Sequence, residues 1–321
     1  MTQNTKVAVT RRLPPACEAR LAARYDLRLG DDAAVYTPEK LAAHAAGTAA
    51  IIVTPSETLN AAAIAALPAS VRIISSNSVG FEHIDLAAAR ARGMRVGNTP
   101  DVLTDAVAET ALLLLLGAAR RATEAIALIR SGQWQGWSPR QIIGQGLDGK
   151  MLGIYGMGRI GRGIAARARS FGMSIAYHNT RRLAPGLEQS ATYYETPDAL
   201  LPAIDALVIA CPLTAATRGF LNAPRLALMK PSAIVVNIAR GDVVVDDDLI
   251  AALKSGRLFA AGLDVFSGEP KLDARYYDLP NLFMLPHIGS STIEARLAMG
   301  RAVIDGVIAV LDGRNPPNRI V

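Results

Sequence analysis

The sequence predicts an α/β protein made of two doubly wound parallel-sheet domains with a cleft between them. Three observations predict it. Short, continuously apolar runs of strand length alternate with Ala/Leu-rich helical stretches along nearly the whole chain. One of those runs opens into a glycine turn spaced G-x-G-x-x-G. A last helical stretch, about residues 290–311, leads the chain back towards its beginning. Continuous apolar strands separated by helices mean a parallel sheet covered on both faces. Such sheets keep their ligand crevices at the C-terminal ends of the strands.

The bulk properties fit. A chain of 321 residues is long enough for about two domains, each with its own core. Half the residues are hydrophobic and 19% are charged, which is a globular composition. Lys and Arg number 34 against 28 Asp and Glu, a formal charge of +6. Solvated Arg-rich helices account for this, and a phosphate-bearing ligand is the sharper alternative. A nucleic-acid groove is disfavoured, because no Lys/Arg run exceeds two residues. Cys17 and Cys211 stand far apart and form neither a metal nor a disulfide framework, so no metal is expected. "MTQNTKVAVTRRLPP" has no apolar leader core. "AVAETALLLLLGAARR" (106–121) contains Glu109 and falls short of the about 18 apolar residues of a membrane span. A soluble cytoplasmic protein with no membrane partner is the expectation.

In chain order, "KVAVT" (6–10), "AIIVT" (50–54) and "VRIISS" (71–76) read as strands, with helices over about 58–67 and 84–92 between and after them. Polar, Gly-containing loops follow, "VTPSE" and "SNSVGFEHID" among them. A long greasy helix over 102–129, with five consecutive leucines, precedes a second α/β series. "KMLGIYGMGRIG" (150–161) gives strand, turn and helix start. "SIAYHN" (174–179), "DALVIAC" (205–211), "AIVVNIA" (233–239), "LFAAGLDV" (258–265) and "LFMLPH" (282–287) supply further strands. The expected division is a flavodoxin-like, substrate-binding domain of 1–98 plus 289–321, and an inserted Rossmann, dinucleotide-binding domain of 99–288.

In "GMGRIG", Gly156 permits the tight turn, Gly158 lets backbone approach a pyrophosphate, and Gly161 lets helix pack on strand. The helix amino end then holds the phosphates with free N–H groups. About 20 residues on, an NAD enzyme places an acid that grips the ribose hydroxyls. Here "SIAYHNTRR" ends in Asn179, Thr180, Arg181 and Arg182 instead. A carboxylate repels a 2′-phosphate, whereas guanidinium groups bind it with charge-assisted hydrogen bonds, and Asn179 and Thr180 add neutral donors. NADP(H) is therefore the expected cofactor, with NAD(H) as the alternative.

Three later segments, "VNIARGDVVVDDDLI" (236–250), "AGLDVFSGEP" (261–270) and "LPHIGSST" (285–292), join "GMGRIG" and "SVGFEHID" (78–85). In this order, over nearly the whole chain, they resemble the D-isomer-specific 2-hydroxyacid dehydrogenase family. "SGQWQGWSP" (131–139) resembles the Trp-containing loop of its glyoxylate/hydroxypyruvate reductase branch. The resemblance implies reduction of a small 2-keto acid to the D-2-hydroxy acid by hydride transfer, with closure over the cleft to exclude water. It makes His287 the acid that protonates the carbonyl oxygen, a task suited to a group that titrates near neutrality. Glu269 orients His287 and favours its charged form. Arg240 clamps the substrate carboxylate and polarises the keto oxygen. Ser78, Val79 and Gly80 complete the carboxylate site, the last two through backbone N–H groups.

The resemblance also places Asp264 on the nicotinamide amide. It puts Thr104, Cys211 and Pro212 on the cofactor wall, and Arg159, Ile160, Thr217, Ile238 and Gly289 among the cofactor contacts. It implies a homodimer in which Trp137 reaches the neighbouring subunit's substrate site, although Gln141 stands where a further aromatic often sits. Glu269 rather than Gln argues against formate dehydrogenases, and an end at Val321 against phosphoglycerate dehydrogenases with a regulatory tail. Two alternatives stay open: larger substrates such as 2-ketogluconate or arylpyruvates, and a dinucleotide-sensing, corepressor-like binding protein.

Overall fold

The computed structural model describes residues 5–321. Met1–Asn4, the start of the segment read for a leader, lie outside the described residues. The chain divides into two compact units, one ending at Leu103 and resuming over Ser290–Val321, the other Thr104–Gly289. The sequence-based divisions after 98 and 288 fall five residues and one residue earlier. The segment after residue 98 stays with the first unit, because Asn98 and Thr99 bond to Asn318 and Ser78 of that unit.

The first unit holds five parallel strands: β1 (Lys6–Val9), β2 (Asp26–Leu29), β3 (Ala50–Val53), β4 (Ile73–Ser76) and β5 (Arg95–Gly97), in the order β2-β1-β3-β4-β5. Alternation sends neighbouring side chains to opposite faces. Val7, Val9, Ile52 and Ile73 enter one core with Leu21, Val303, Ile304 and Val307. Ala8, Ile51, Val53 and Ile74 enter another with Leu41, Ile64 and Val96. Burial on both faces is why these strands read as unbroken apolar runs. The closing helix, Ile293–Leu311, packs here, where Ser75 Oγ donates to the Val303 carbonyl at 3.0 Å. The C-terminal segment then pairs with β5 through Ile320 N–H to the Val96 carbonyl, 2.8 Å.

The second unit holds seven parallel strands: β6 (Met151–Tyr155), β7 (Ser174–His178), β8 (Thr192–Tyr193), β9 (Ala206–Ile209), β10 (Ile234–Asn237), β11 (Ala260–Leu263) and β12 (Leu282–Met284). Their order is β12-β11-β10-β9-β6-β7-β8, so the winding reverses between β6 and β9. One face is covered by Thr104–Ala119, which approaches closely: a Cβ on Gly262 would lie 2.7 Å from the Leu114 carbonyl oxygen. The other face carries the large core of Leu207, Val235, Leu249, Phe266 and Tyr276.

The helix expected over 102–129 is two helices, Thr104–Ala119 and Ala122–Arg130. Arg121 between them is left-handed, φ 54°. The break has a tertiary cause: the Ala119 carbonyl accepts from Gln145 N–H at 2.8 Å, with Gly144 packed against it. Among the described residues no helix is long and apolar enough to cross a membrane.

Candidate active site

Because the seven strands of the second unit are parallel, the loops leaving β6, β7, β9, β10, β11 and β12 all emerge at one edge of the sheet. In that order they carry Gly156–Gly161, Asn179–Arg181, Cys211–Thr217, Ile238–Arg240, Asp264–Glu269 and His287–Gly289.

The glycines of the first loop are needed for different reasons. Gly156 has φ 104°, and a Cβ there would meet Cys211 N at 2.6 Å across the winding reversal. A Cβ on Gly161 would lie 2.5 Å from the Gly156 carbonyl oxygen. Gly158 has φ −80°, ordinary for any residue, and nothing lies within 4 Å of where its Cβ would be. The chain itself does not require glycine there; a pyrophosphate approaching the backbone does. Gly158 caps the helix Arg159–Arg169 without a side-chain bond, so the helix's amino end, Ile160 included, offers its first-turn amides to an anion. The residues present therefore fit a dinucleotide.

At the end of β7, Asn179 Oδ1 accepts Met157 N–H at 2.6 Å, so this side chain braces the glycine turn. Thr180 and Arg181 are exposed beyond it. Arg182 is committed elsewhere, contrary to the expectation that both arginines face the ribose. It donates to Glu188 at 2.8 and 3.1 Å, and Glu188 also accepts Tyr177 OH at 2.6 Å. These bonds hold the Glu188 carboxyl below its ordinary range. Cys211, read as a cofactor-wall residue, is buried, and burial pushes its thiol up to about 12, so it is a small neutral side chain. Thr217 Oγ1 donates to the Pro212 carbonyl at 2.7 Å and closes that loop. Ile238 is buried at the end of β10. The Thr104 methyl would lie 3.3 Å from a Cβ on Gly163, against the helix Arg159–Arg169.

The last three loops carry the residues read as catalytic. Arg240 is set by Asn237, which is almost wholly buried; its amide donates to the Arg240 carbonyl at 2.9 Å and its Oδ1 accepts from Ala239 N–H at 3.0 Å. Arg240 Nη1 donates to the Ala239 carbonyl at 2.7 Å. Gly241 must be glycine, since a Cβ would lie 1.9 Å from the Phe266 carbonyl carbon. His287 Nδ1 pairs with Glu269 Oε1, leaving Nε2 as the atom that can meet a ligand. Burial alone would raise the Glu269 carboxyl. The His287 bond and charge, the Phe266 amide and the Arg240 charge bring it below its ordinary value.

His287 is left-handed, φ 54°, a strained conformation for a non-glycine residue. Asp264 holds it there. Its carbonyl accepts His287 N–H at 2.8 Å, and its carboxylate accepts Ile288 and Gly289 N–H at 2.7 and 2.8 Å. The side chain read as a nicotinamide contact thus has both oxygens bonded within the chain. Burial pushes that carboxyl above its ordinary value.

Sequence reasoning missed Asp242. It accepts from Ser267 Oγ at 2.8 Å and from Arg218, and its carbonyl accepts Gly219 N–H at 2.8 Å. It joins the loops bearing Thr217, Arg240 and Glu269, and no short motif announces a tie spanning 24 and 25 residues.

In the first unit, Ser78, Val79 and Gly80 lie in the turn after β4, and the Ser78 hydroxyl donates to the Gly80 carbonyl at 2.6 Å. Trp137 is 84% exposed, within twelve consecutive exposed residues, 129–140. Among the described residues no cluster of His, Cys, Asp or Glu is placed to hold a metal.

Comparison with known proteins agrees with this geometry. Residues 112–289 match the family profile described as D-isomer specific 2-hydroxyacid dehydrogenase, NAD binding domain. A glycerate dehydrogenase of Hyphomicrobium methylovorum is 42% identical over 310 residues, 96% of each chain. The solved structure of a Polaromonas sp. JS6 66 protein, assigned to the NAD-binding D-isomer specific 2-hydroxyacid dehydrogenases, matches with TM-score 0.94 and 49% identity, covering 99% of both chains. An NADPH-dependent glyoxylate/hydroxypyruvate reductase of Sinorhizobium meliloti, solved with NADP and malonate, matches with TM-score 0.87 and 32% identity over 99% of this chain and 97% of that one. Glycine turn, strand-end loops and relatives agree: the chain belongs to the D-isomer-specific 2-hydroxyacid dehydrogenase family, whose nicotinamide-dinucleotide-binding domain it carries.

Proposed function

We propose that this chain is an NADPH-dependent reductase of a small 2-keto acid of the glyoxylate or hydroxypyruvate type, forming the D-2-hydroxy acid. The observation that carries the reading is the Glu269–His287 pair with Nε2 left available, at the same sheet edge as Arg240 and the glycine turn. When bound, the nicotinamide supplies the hydride for the carbonyl carbon. His287 gives its Nε2 proton to the carbonyl oxygen as charge develops there. Glu269 fixes the ring through Nδ1 and offsets the imidazolium charge. Arg240 binds the carboxylate and polarises the carbonyl, and the N–H groups of Val79 and Gly80 are further proposed carboxylate donors. For the 2′-phosphate, Arg181 and Thr180 are the proposed readers. The relatives that act on glyoxylate, hydroxypyruvate or glycerate support the small-acid reading over bulkier keto acids.

The test is NAD(P)H oxidation, followed by absorbance, with glyoxylate and hydroxypyruvate. Turnover with NADPH well above NADH is expected, and His287→Gln is expected to lower kcat by about 10² to 10⁴. Equal rates with NADH overturn the cofactor preference. Cofactor binding without turnover of any 2-keto acid favours the sensor reading.

A homodimer is also proposed. Ile126, Ile129, Trp134, Trp137 and Ile143 are large apolar side chains left exposed on the second unit, which a second copy would cover. Sedimentation of the 33.9 kDa chain as a dimer is expected; a monomer at micromolar concentration refutes it.

A further inference from the structure

We propose that Asn98 and a hydrogen-bonded chain of His83, Ser76 and Ser78 are positioning residues that shape the Ser78–Gly80 turn into a carboxylate-binding nest. The proposal rests on the reading that Val79 and Gly80 donate to the substrate carboxylate.

Proton accounting fixes the direction of the chain. A serine hydroxyl has one hydrogen to give. That of Ser78 goes to the Gly80 carbonyl, 2.6 Å away. The 2.8 Å contact between Ser76 and Ser78 must then use the hydrogen of Ser76. Ser76 has none left for its 3.0 Å contact with His83 Nε2, so that nitrogen donates. Donation runs from His83 to Ser76 to Ser78 to the Gly80 carbonyl, and the two serines carrying it are buried. The other two carbonyls of the turn are tied as well. Asn98 Nδ2 donates to the Val79 carbonyl at 2.7 Å, and Thr99 N–H donates to the Ser78 carbonyl at 2.9 Å.

Three successive carbonyls are thus turned onto donors, while the N–H groups of Val79 and Gly80 donate to none of the described residues. Consecutive amides whose carbonyls are held back form an anion-binding concavity. Nothing in the unpartnered N–H pair maintains that shape by itself. The side chains behind it do, and of these only Ser78 belongs to the turn. Val79 and Gly80 stay half-exposed, so an anion can reach them.

The experiment uses the full chain with saturating NADPH and compares Asn98→Leu, Ser76→Ala, His83→Leu and His83→Gln. It reads KM and kcat for hydroxypyruvate, Kd for NADPH, and Kd for oxalate by calorimetry. Asn98→Leu and His83→Leu are expected to raise KM and the oxalate Kd about tenfold, the scale of one charge-assisted hydrogen bond, with kcat within about twofold. NADPH affinity stays unchanged, and His83→Gln, which keeps a terminal N–H, recovers most of the loss. Unchanged KM and oxalate affinity in Asn98→Leu and Ser76→Ala overturn the proposal, as does His83→Gln behaving like His83→Leu. Should Asn98→Leu fail to fold, Ser76→Ala, one atom smaller than the native side chain, decides. If the wild-type chain binds oxalate but reduces no keto acid, the proposed reaction falls and the oxalate series alone judges the nest. If it binds no oxalate, the nest falls too.

Discussion

Arg181 and Arg182 are adjacent in sequence and separated by structure. Arg182 is bonded twice to Glu188, lies 5.8 Å from the Tyr193 ring, and through Glu188 is linked to the buried Tyr177. Arg181 faces solvent past the end of β7. The proposed preference for NADPH should therefore rest on Arg181. Arg181→Ala is expected to raise KM for NADPH about ten- to a hundredfold while leaving NADH kinetics nearly unchanged, as fits loss of one charge-assisted contact. Arg182→Ala should lower the melting temperature and keep the cofactor ratio; equal loss of preference in both variants would refute the division. Composition makes both residues look alike, because the difference lies in a partner six residues on that the strand pattern does not announce. The same limit explains Asp264: its place at the end of β11 is legible, but its grip on the amides after His287 needs β12 beside β11. The positions of Arg240, Glu269 and His287 were legible through the motifs that resemble the family's, and the parallel topology gathers the loops that carry them.

Among the elements, those buried on both faces were the readable ones. β1, β3, β4, β6, β9 and β10 are four or five residues long and almost fully buried, so unbroken apolar runs mark them. β2, "DLRL", is a partly exposed edge strand, β5 has three residues and β8 two, and none leaves such a run. The break at Arg121 was hidden because the surrounding residues favour helix and a distant amide ends it. The glycine turn separates two kinds of constraint. Gly156→Ala should unfold or strongly destabilise the second unit, since the φ of 104° and the 2.6 Å approach to Cys211 N leave no room. Gly158→Ala should leave the melting temperature of the free chain within about 2 °C, as fits a sterically open site. It should abolish most of the added stability that NADPH gives the wild type. Differential scanning calorimetry with and without NADPH distinguishes them, and a Gly158→Ala chain stabilised like wild type would remove the phosphate from that position.

For the whole molecule, the ionised carboxylates set the response to acid. Asp205 is held below its ordinary range: burial opposes this, but Lys230 at 2.7 Å and Met151 N–H at 2.9 Å outweigh it. Asp242 is lowered by Ser267 and Arg218 against burial, Glu269 by His287, and Glu18 by Arg12 at 2.6 and 2.8 Å. A carboxylate whose folded value lies below its unfolded one contributes stability above the unfolded value, near pH 4, and loses it as pH falls through the folded value. Asp246 and Asp264 act oppositely, because burial raises them and protonation relieves them. The lowered group is the more numerous, and three of its members are bonded to Arg or Lys, although only Glu18 among them is well shielded, so its loss in acid is expected to outweigh the two raised ones. Acid also increases a charge that is already +6, and self-repulsion adds in the same direction. The melting temperature should thus vary little between pH 7 and 5 and fall by roughly 5 °C or more between pH 4.5 and 3. The drop should be smaller in 0.5 M salt, which screens the exposed members of these pairs and the net charge. A melting temperature that rises below pH 4.5 would mean that the buried Asp246 and Asp264 dominate and that the ion pairs contribute little.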